Sequence, residues 1–488
     1  MENKHLQERY LDSEIFQGRG PQEKRSRLPE GSYREPARDI PIYRRTDVLV
    51  IGGGPAGSAA AISAARAGAD VTLVERYNHL GGLSTGGLVL WIDRMTDWNG
   101  CQVIQGIAND LLGRLPPEAI AGPPREHWGT RDPRAVGWWQ PRTAAFHGVV
   151  TWSPTIDPEW LKAVSLQAVL EARIHLMLHC WAVAPILDGN RVQGAIFESK
   201  AGRQAVVAKV VVDASGDGDM YALAGAPFES DINASDIHHC MNVAWLFGGV
   251  DMERWIGFLT GPPEPVAVFT KLARERLEFF ERPFVSWRRD VALFMGPRLS
   301  GFSPLDLEDL TEVEIRSRKL MVEHLNFYRE HAPGFEGAFL MLSAPQIGAR
   351  HSRRLIGTAK VRREQWESGI VLPDEIGVSP SPSERFPSIS IPYGSLICEK
   401  LDNLLAAGRH IACDAASHTF MREIPQCWMT GQAAGVAAAM AANRNVAPRE
   451  LPVKELQREL LKQGAYVRTS ADEAITAQHA PTRVPESV

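Results

Sequence analysis

The 488-residue chain has only six cysteines, Cys101, Cys180, Cys240, Cys398, Cys413 and Cys427, and no two of them form a C-x-x-C pair. That scatter argues against a zinc site and a disulfide framework and fits a reducing compartment, so no metal is expected. A basic block is also missing. The 53 Lys and Arg stand against 58 Asp and Glu, a net charge of −5, so no nucleic-acid partner is expected. Long apolar runs are lacking too: stretches such as AAGVAAAMAA from Ala433 fall short of the roughly 20 residues of a membrane helix. The opening MENKHLQERYLDSE is charged, without the apolar centre of a signal peptide. A cytoplasmic address without a membrane partner is the expectation.

What is present is an ordinary globular balance, 44% hydrophobic and 23% charged. The length suits two or three domains or one large two-lobed enzyme. Residues 1–45 are polar and rich in Arg, Glu and Pro, which reads as an extended arm without its own core. The plainer reading is a flexible terminus; the alternative is an arm wrapping a neighbouring subunit of a homo-oligomer.

At Thr46 the pattern changes. TDVLVIGGG reads as a buried strand, PAGSAAAISAARAGA as a small-residue helix stopped at Gly68, and DVTLVER as a second buried strand. Residues Asn78 to Pro154 have no clean period and read as long loops with short helices. IDPEWLKAVSLQAVLEA reads as a helix with Asp157 at its N-cap and Pro158 in its first turn. A turn at Asp188-Gly189-Asn190 and a strand AVVAKVVVDAS follow, leading into SGDGDMYALAGA. The middle mixes short strands with charged helices. VSPSPSERFPS reads as a linker, NLLAAGRHIA as strand plus turn, and MTGQAAGVAAAMAANRN as a tightly packed helix.

Gly52, Gly54 and Gly57 form G-x-G-x-x-G at the first strand-to-helix junction. The first glycine permits the tight turn, the second lets the backbone approach a pyrophosphate, and the third lets helix and strand pack closely. Pro55 and Ala56 lie in the same loop, and the helix start supplies free amides and the positive dipole end. Glu75 ends the second strand, where a carboxylate accepts from ribose hydroxyls. Strand, triplet, helix, strand and acid in this order mark a dinucleotide site. Arg76 and then Gly81-Gly82 follow close behind the acid. That second glycine pair lets the chain pass beside a flavin's pyrophosphate and ribitol, which points to FAD rather than NAD.

The segments VIGGGPAGSAAAISAARAGADVTLVER, GGLSTGGLV, VVVDASGDGDMYALAGAPFE, APQIGARHSRRLIG, IPYGSLI, NLLAAGRHI and GQAAGVAAAMA occur in this order. Together they resemble the FAD-dependent oxidoreductase family with a G-G-x-x-T-x-G signature after the ribose acid, here Gly81, Gly82, Thr85 and Gly87. That family is in turn similar to the glutathione-reductase-type flavoproteins. The resemblance covers about Thr46 to Tyr466, patchily in the middle. It implies an α/β fold: a discontinuous Rossmann-like FAD-binding lobe (46–100, 155–225 and 385–466), a mixed α+β substrate lobe (101–154 and 226–384), and a flexible tail (467–488). It further implies cofactor contacts from Asp213, Ser215 and Gly216 after a buried strand, and from Gly408, Arg409 and Asp414 beside the ribitol. Asp217 or Asp219 as an N-cap is the structural alternative for the former segment, and turn capping that for Asp414.

The amides of Gly431 and Gln432 are expected to begin the Ala-rich helix and to aim its N-terminus at the flavin. Arg350 and Arg422 match arginines of the family, the former in a stretch usually written R-E-S-R-R, where His351 here replaces the acid. Arg350, His351 and Arg422 are the catalytic candidates, whereas Arg353 and Arg354 read as a solvated, salt-bridging helix face. His238, His239, His410 and His418 are weaker candidates for a base. Seven of the thirteen tryptophans, Trp91, Trp98, Trp128, Trp138, Trp139, Trp152 and Trp160, crowd one loop-rich region. Local packing is the preferred reading and an aromatic-walled substrate pocket the alternative. With one dinucleotide fingerprint, the expected enzyme oxidises a small organic molecule by hydride transfer to flavin N5, with O2 or an external acceptor closing the cycle. A flavin monooxygenase, a reductase using NAD(P)H, and a non-redox lyase or isomerase stabilised by FAD are the alternatives.

Overall fold

The computed structural model describes residues 31–230 and 240–468. The first 30 residues, His238, His239 and the tail beyond Arg468 lie outside these. Strand β1 (Ile42–Ile51) begins four residues earlier than Thr46, so the end of the segment read as an arm is part of the sheet. It runs into helix α1 (Pro55–Arg66) and strand β2 (Val71–Val74), the βαβ unit expected from the apolar runs. Alanines let α1 approach closely, Pro55 fits its first turn, and Gly68, at φ +88°, takes the left-handed conformation beyond its end. Helix α2 (Pro158–Glu171) starts where Asp157 accepts from the amides of Glu159 and Trp160.

Strands β3 (His175–Met177), β4 (Trp181–Asp188), β5 (Arg191–Ser199) and β6 (Gly202–Asp213) complete most of the sheet. Its parallel part has the order β3-β2-β1-β6. The 12-residue β6 is shared along its far edge. Its first half pairs antiparallel with β5, and its last three residues pair parallel with β13 (Leu404–Ala406). Along β1, Val48 and Val50 face one hydrophobic cluster while Leu49 and Ile51 face another. A strand buried on both faces is the signature of a parallel sheet covered on both sides.

A short helix α3 (Asp219–Leu223) follows β6. The chain then builds an antiparallel sheet from β7 (Trp245–Gly248), β8 (Phe284–Val285), β9 (Val291–Phe294) and β10 (Phe339–Ser343), in the order β8-β9-β7-β10. Helices α4 (Met252–Leu259), α5 (Pro263–Arg276) and α6 (Leu307–His331) share with it an aromatic core of Trp245, Phe247, Trp255, Phe294, Tyr328 and Phe335. The Ser/Pro run read as a linker is instead a hairpin loop between β11 (Glu375–Ser379) and β12 (Ile389–Pro392). Ser381 in that loop is buried and accepts from Arg94 and Trp98.

The chain then returns to the first sheet through β13, α7 (Ala415–Met421) and α8 (Ile424–Arg444). Helix α8 packs directly on α1. A Cβ at Gly431 would stand 2.1 Å from the Ala56 carbonyl oxygen, and one at Gly435 2.1 Å from that of Ala60. Two glycines one turn apart thus bring the helix axes to backbone contact. The last described residues are also tied down: Val467 is buried and Arg468 pairs with Glu375 at 2.8 Å.

Candidate functional site

Four parallel strands end side by side, and the residues just past them form one cleft: Gly52 after β1, Glu75 after β2, Ala214 after β6 and Ala407 after β13. The carboxyl edge of an open parallel sheet is where such folds bind ligands. With the solvent at its mouth counted in, the cleft comprises about 860 Å³.

Its floor is the Gly52–Gly57 turn. Gly52 has φ +99°, and a Cβ there would lie 2.4 Å from the Ala214 oxygen; at Gly57 it would lie 1.7 Å from the Gly52 oxygen. Gly57 is therefore a packing glycine that fixes the bend, while Gly52, Gly54, Pro55 and Ala56 line the cleft. The first intrahelical bond runs from the Ser58 amide to the Gly54 oxygen, so the first-turn amides have no acceptor within the helix. Glu75 is held at the edge by accepting from Gly53 N at 2.6 Å and Tyr77 N at 2.7 Å. Each of its oxygens keeps a further lone pair. At the mouth, the Arg76 guanidinium lies over the rings of Tyr77 and Trp181.

On the opposite wall stand Ser215, Gly216 and Asp219, with Gly408 and Arg409 beside them. Arg409 donates to Asp217 at 2.5 Å, and Ser352 Oγ donates to the same carboxylate at 2.7 Å. Burial pushes the Asp217 carboxyl up, but Arg409, Ser352 and Arg76 together hold it below the usual range. Asp219 has the opposite balance. Burial raises it, the neighbouring Asp217 and Asp213 charges raise it further, and its Arg353 partner at 2.9 Å offsets only part, leaving it at about 6.

Several expected contacts are placed elsewhere. Thr85 is fully buried and donates to the carbonyls of Leu80 and Gly82. Asp213 is also fully buried. One of its oxygens accepts from Ser215, the other from the Met220 and Tyr221 amides, so it, not Asp217 or Asp219, fixes the start of α3. Asp414 caps α7 through the Ser417 amide and accepts from Arg363 N. Gly431 and Gln432 lie inside α8, seven and eight residues past its true start; Gln432 accepts from Ile107 N and donates to the Gln463 oxygen. The helix end at the cleft is Ile424, which lines it with Arg422 and Cys427.

Of the catalytic candidates, Arg422 lines the cleft and pairs with Glu423 at 3.2 Å. Arg350 and His351 do not appear on its wall. His351 is buried, its Nε2 accepts from Arg354, and its ring stands edge-on to His418 at 4.8 Å. Arg353 and Arg354 do not form a solvated helix face. Arg354 is buried in a short strand and paired with Glu229, and Arg353 bridges Asp219 and the Asp217 carbonyl. His410 is fully buried, and burial lowers its pKa; His418 Nε2 meets the Arg409 carbonyl. The seven tryptophans between Trp91 and Trp160 do not wall this cleft. Trp128 stacks on Trp152, Trp98 bonds to Ser381, Trp91 donates to the Thr143 oxygen, and Trp138 carries Arg142 on its face.

Sequence reasoning missed Trp181, Leu83, Gln346, Asp219 and Cys427 on the wall. Trp181 opens a strand that reaches the cleft only because β3 pairs beside β2, which no local pattern encodes. Among the described residues no group of three or more His, Cys, Asp or Glu is set to hold a metal, and no helix is long and apolar enough to cross a membrane. The six cysteines are buried, with no disulfide among them.

A dinucleotide fits these residues. Five glycines, Gly52, Gly54, Gly82, Gly216 and Gly408, line the cleft, so no side chain fills the cradle there. Arg409 Nε is buried without a hydrogen-bond partner. Digeranylgeranylglycerophospholipid reductase 2 of Methanopyrus kandleri is 29% identical over 174 residues, covering 35% of this chain and 37% of that protein. Among solved structures, a geranylgeranyl bacteriochlorophyll reductase-like protein from Thermoplasma acidophilum is 14% identical, with 91% of this chain and 97% of that one covered and a TM-score of 0.42. The p-nitrophenol 4-monooxygenase of Pseudomonas putida is 12% identical, with 89% and 92% covered and a TM-score of 0.43. The profile of the FAD-dependent oxidoreductases matches residues 47–460. With that match spanning most of its length, the chain belongs to the FAD-dependent oxidoreductase family, as an enzyme whose cofactor is FAD.

Proposed function

We propose that the cleft holds FAD, and that the enzyme oxidises a small organic substrate with O2 or an external acceptor closing the cycle. The observation that carries the reading is the convergence of four strand ends and two helix starts on one glycine-lined cleft. In this reading the segments 46–100, 155–225 and 385–466 form the FAD-binding unit. The segments 101–154 and 226–384 form the substrate unit.

The first-turn amides of α1 would bind the diphosphate, helped by the positive end of the helix. Glu75 would accept from ribose hydroxyls, and Arg76 with Trp181 would face the adenine end. Gly82, Ser215, Gly216, Gly408 and Arg409 let the backbone approach the rest of the cofactor. When bound, FAD supplies a two-electron acceptor for hydride at N5. The start of α8 at Ile424, with Arg422 beside it, supplies positive potential where negative charge develops. His351, buried behind the wall against His418, is a positioning residue in this scheme; Arg350 acts electrostatically on Glu281.

Anaerobic titration of the purified protein against a metabolite panel tests the reaction. A substrate that bleaches the oxidised flavin band, with colour restored by air, is the expected result. A reductase using NAD(P)H is the second reading, favoured by the name of the Methanopyrus kandleri relative. Rapid bleaching by NADPH alone, without a second substrate, replaces the first reading by this one.

A further inference from the structure

Asp219 is an unexpected neighbour for a dianionic cofactor. It lines, beside Ser215, Gly216 and Arg409, the cleft proposed above to take one. The charges around it are nearly all accounted for. From its own segment Asp213 and Asp217 add negative charge, with the Tyr221 hydroxyl close by. From the 350–355 segment comes Arg353, its direct partner. After β13 come Arg409, already committed to Asp217, and His410, buried and 3.7 Å from Asp213. Arg76 stands across the cleft on the β2 side. Three carboxyls thus crowd seven residues of chain, and only one cation is bonded to the one that faces the cofactor.

We propose that FAD binding to this protein is proton-coupled through Asp219, which receives the dianionic cofactor as a neutral carboxylic acid and opposes it as a carboxylate. A negative group brought close disfavours the ionised form of a neighbouring carboxyl. Asp219 already sits at about 6 without the cofactor, so binding near neutral pH takes up a proton from solvent. Below about pH 6 the acid is already protonated and affinity is flat. Above that point affinity falls, by up to about tenfold per pH unit, until the carboxyl of the complex also ionises.

The inference rests on the diphosphate lying in this cleft, so its test has two parts. Full-length protein stripped of flavin is titrated with FAD at pH 5.5 to 8.5, following flavin fluorescence. Proton uptake is measured calorimetrically in buffers of different ionisation heat. The wild type is expected to bind FAD about tenfold more weakly at pH 7.5 than at pH 6, with net proton uptake between them. Asp219→Asn is expected to bind as tightly at pH 8 as at pH 6 and to take up no proton. Arg353→Gln, which removes the counter-charge and so raises the Asp219 pKa further, is expected to move the onset of the loss to higher pH. A pH-independent wild-type affinity overturns the proposal, as does an Asp219→Asn profile parallel to the wild type. Weaker binding by Asp219→Asn at every pH overturns it too, since the carboxylate would then be an acceptor for the cofactor. Gly57→Val separates the two failures: if it leaves FAD affinity unchanged, the placement of FAD in the cleft fails first.

Discussion

Gly57 concentrates the constraint at the residue scale. Its virtual Cβ lies 1.7 Å from the Gly52 oxygen, a backbone atom that cannot step aside without opening the turn. Gly57→Ala is therefore expected to yield protein with at least tenfold weaker FAD binding and a lower melting temperature, read by flavin release and a thermal melt. Retention of wild-type colour and stability contradicts the packing argument.

Glu281 gives a second residue-scale prediction. It is fully buried, accepts from Gly296 N at 2.9 Å and lies 3.5 Å from Arg298, yet burial outweighs these and raises its carboxyl to about 7 from a usual 4.5. A raised folded-state pKa means that its stabilising contribution is complete below about pH 4.5 and lost as pH climbs to 7. Relative to Glu281→Gln, the wild type should lose up to about 3 kcal/mol across that window. Urea unfolding at pH 5 and pH 8 measures it, and a gap of equal size at both pH values contradicts it. The sequence shows neither this pair nor the state of Asp219, because both depend on which charges the folded chain brings together.

Elements were more legible than residues. The βαβ unit could be read because its signals are local: apolar runs, a glycine turn, an alanine helix and Gly68 at its end. The Asp157 cap was legible for the same reason. Asp157→Ala is expected to cost about 1 kcal/mol without changing FAD affinity, which chemical denaturation and flavin titration check together. The start of α8 was misread. Glycine at 431 suggests a beginning, but the helix starts at Ile424, with Pro425 in its first turn and no side-chain cap at Glu423. Gly431 instead serves the crossing with α1, where a side chain would strike the Ala56 oxygen. Gly431→Val is expected to push α8 away from α1, costing about 1–3 kcal/mol and weakening FAD binding as the Ile424 end withdraws. Stability loss with unchanged FAD affinity separates the helix crossing from the site.

At the scale of the whole molecule, the cleft is assembled from segments more than 300 residues apart. Gly52 and Glu75 come from the start of the chain, Ser215 and Asp219 from its middle, and Gly408, Arg422 and Ile424 from near its end. The family resemblance anticipated that assembly, since it names the segments and their order. It did not anticipate how the 350–355 segment locks onto the wall, with Ser352 on Asp217 and Arg353 on Asp219. Those contacts tie the 350–355 segment to the wall of the cleft through two carboxyls. The account turns on where FAD lies, and a crystal structure of the FAD complex measures that most directly. The account predicts the diphosphate at the first-turn amides of α1, a ribose on Glu75 and the isoalloxazine near Ile424. FAD bound elsewhere, with the glycine-lined cleft filled by protein side chains, contradicts it.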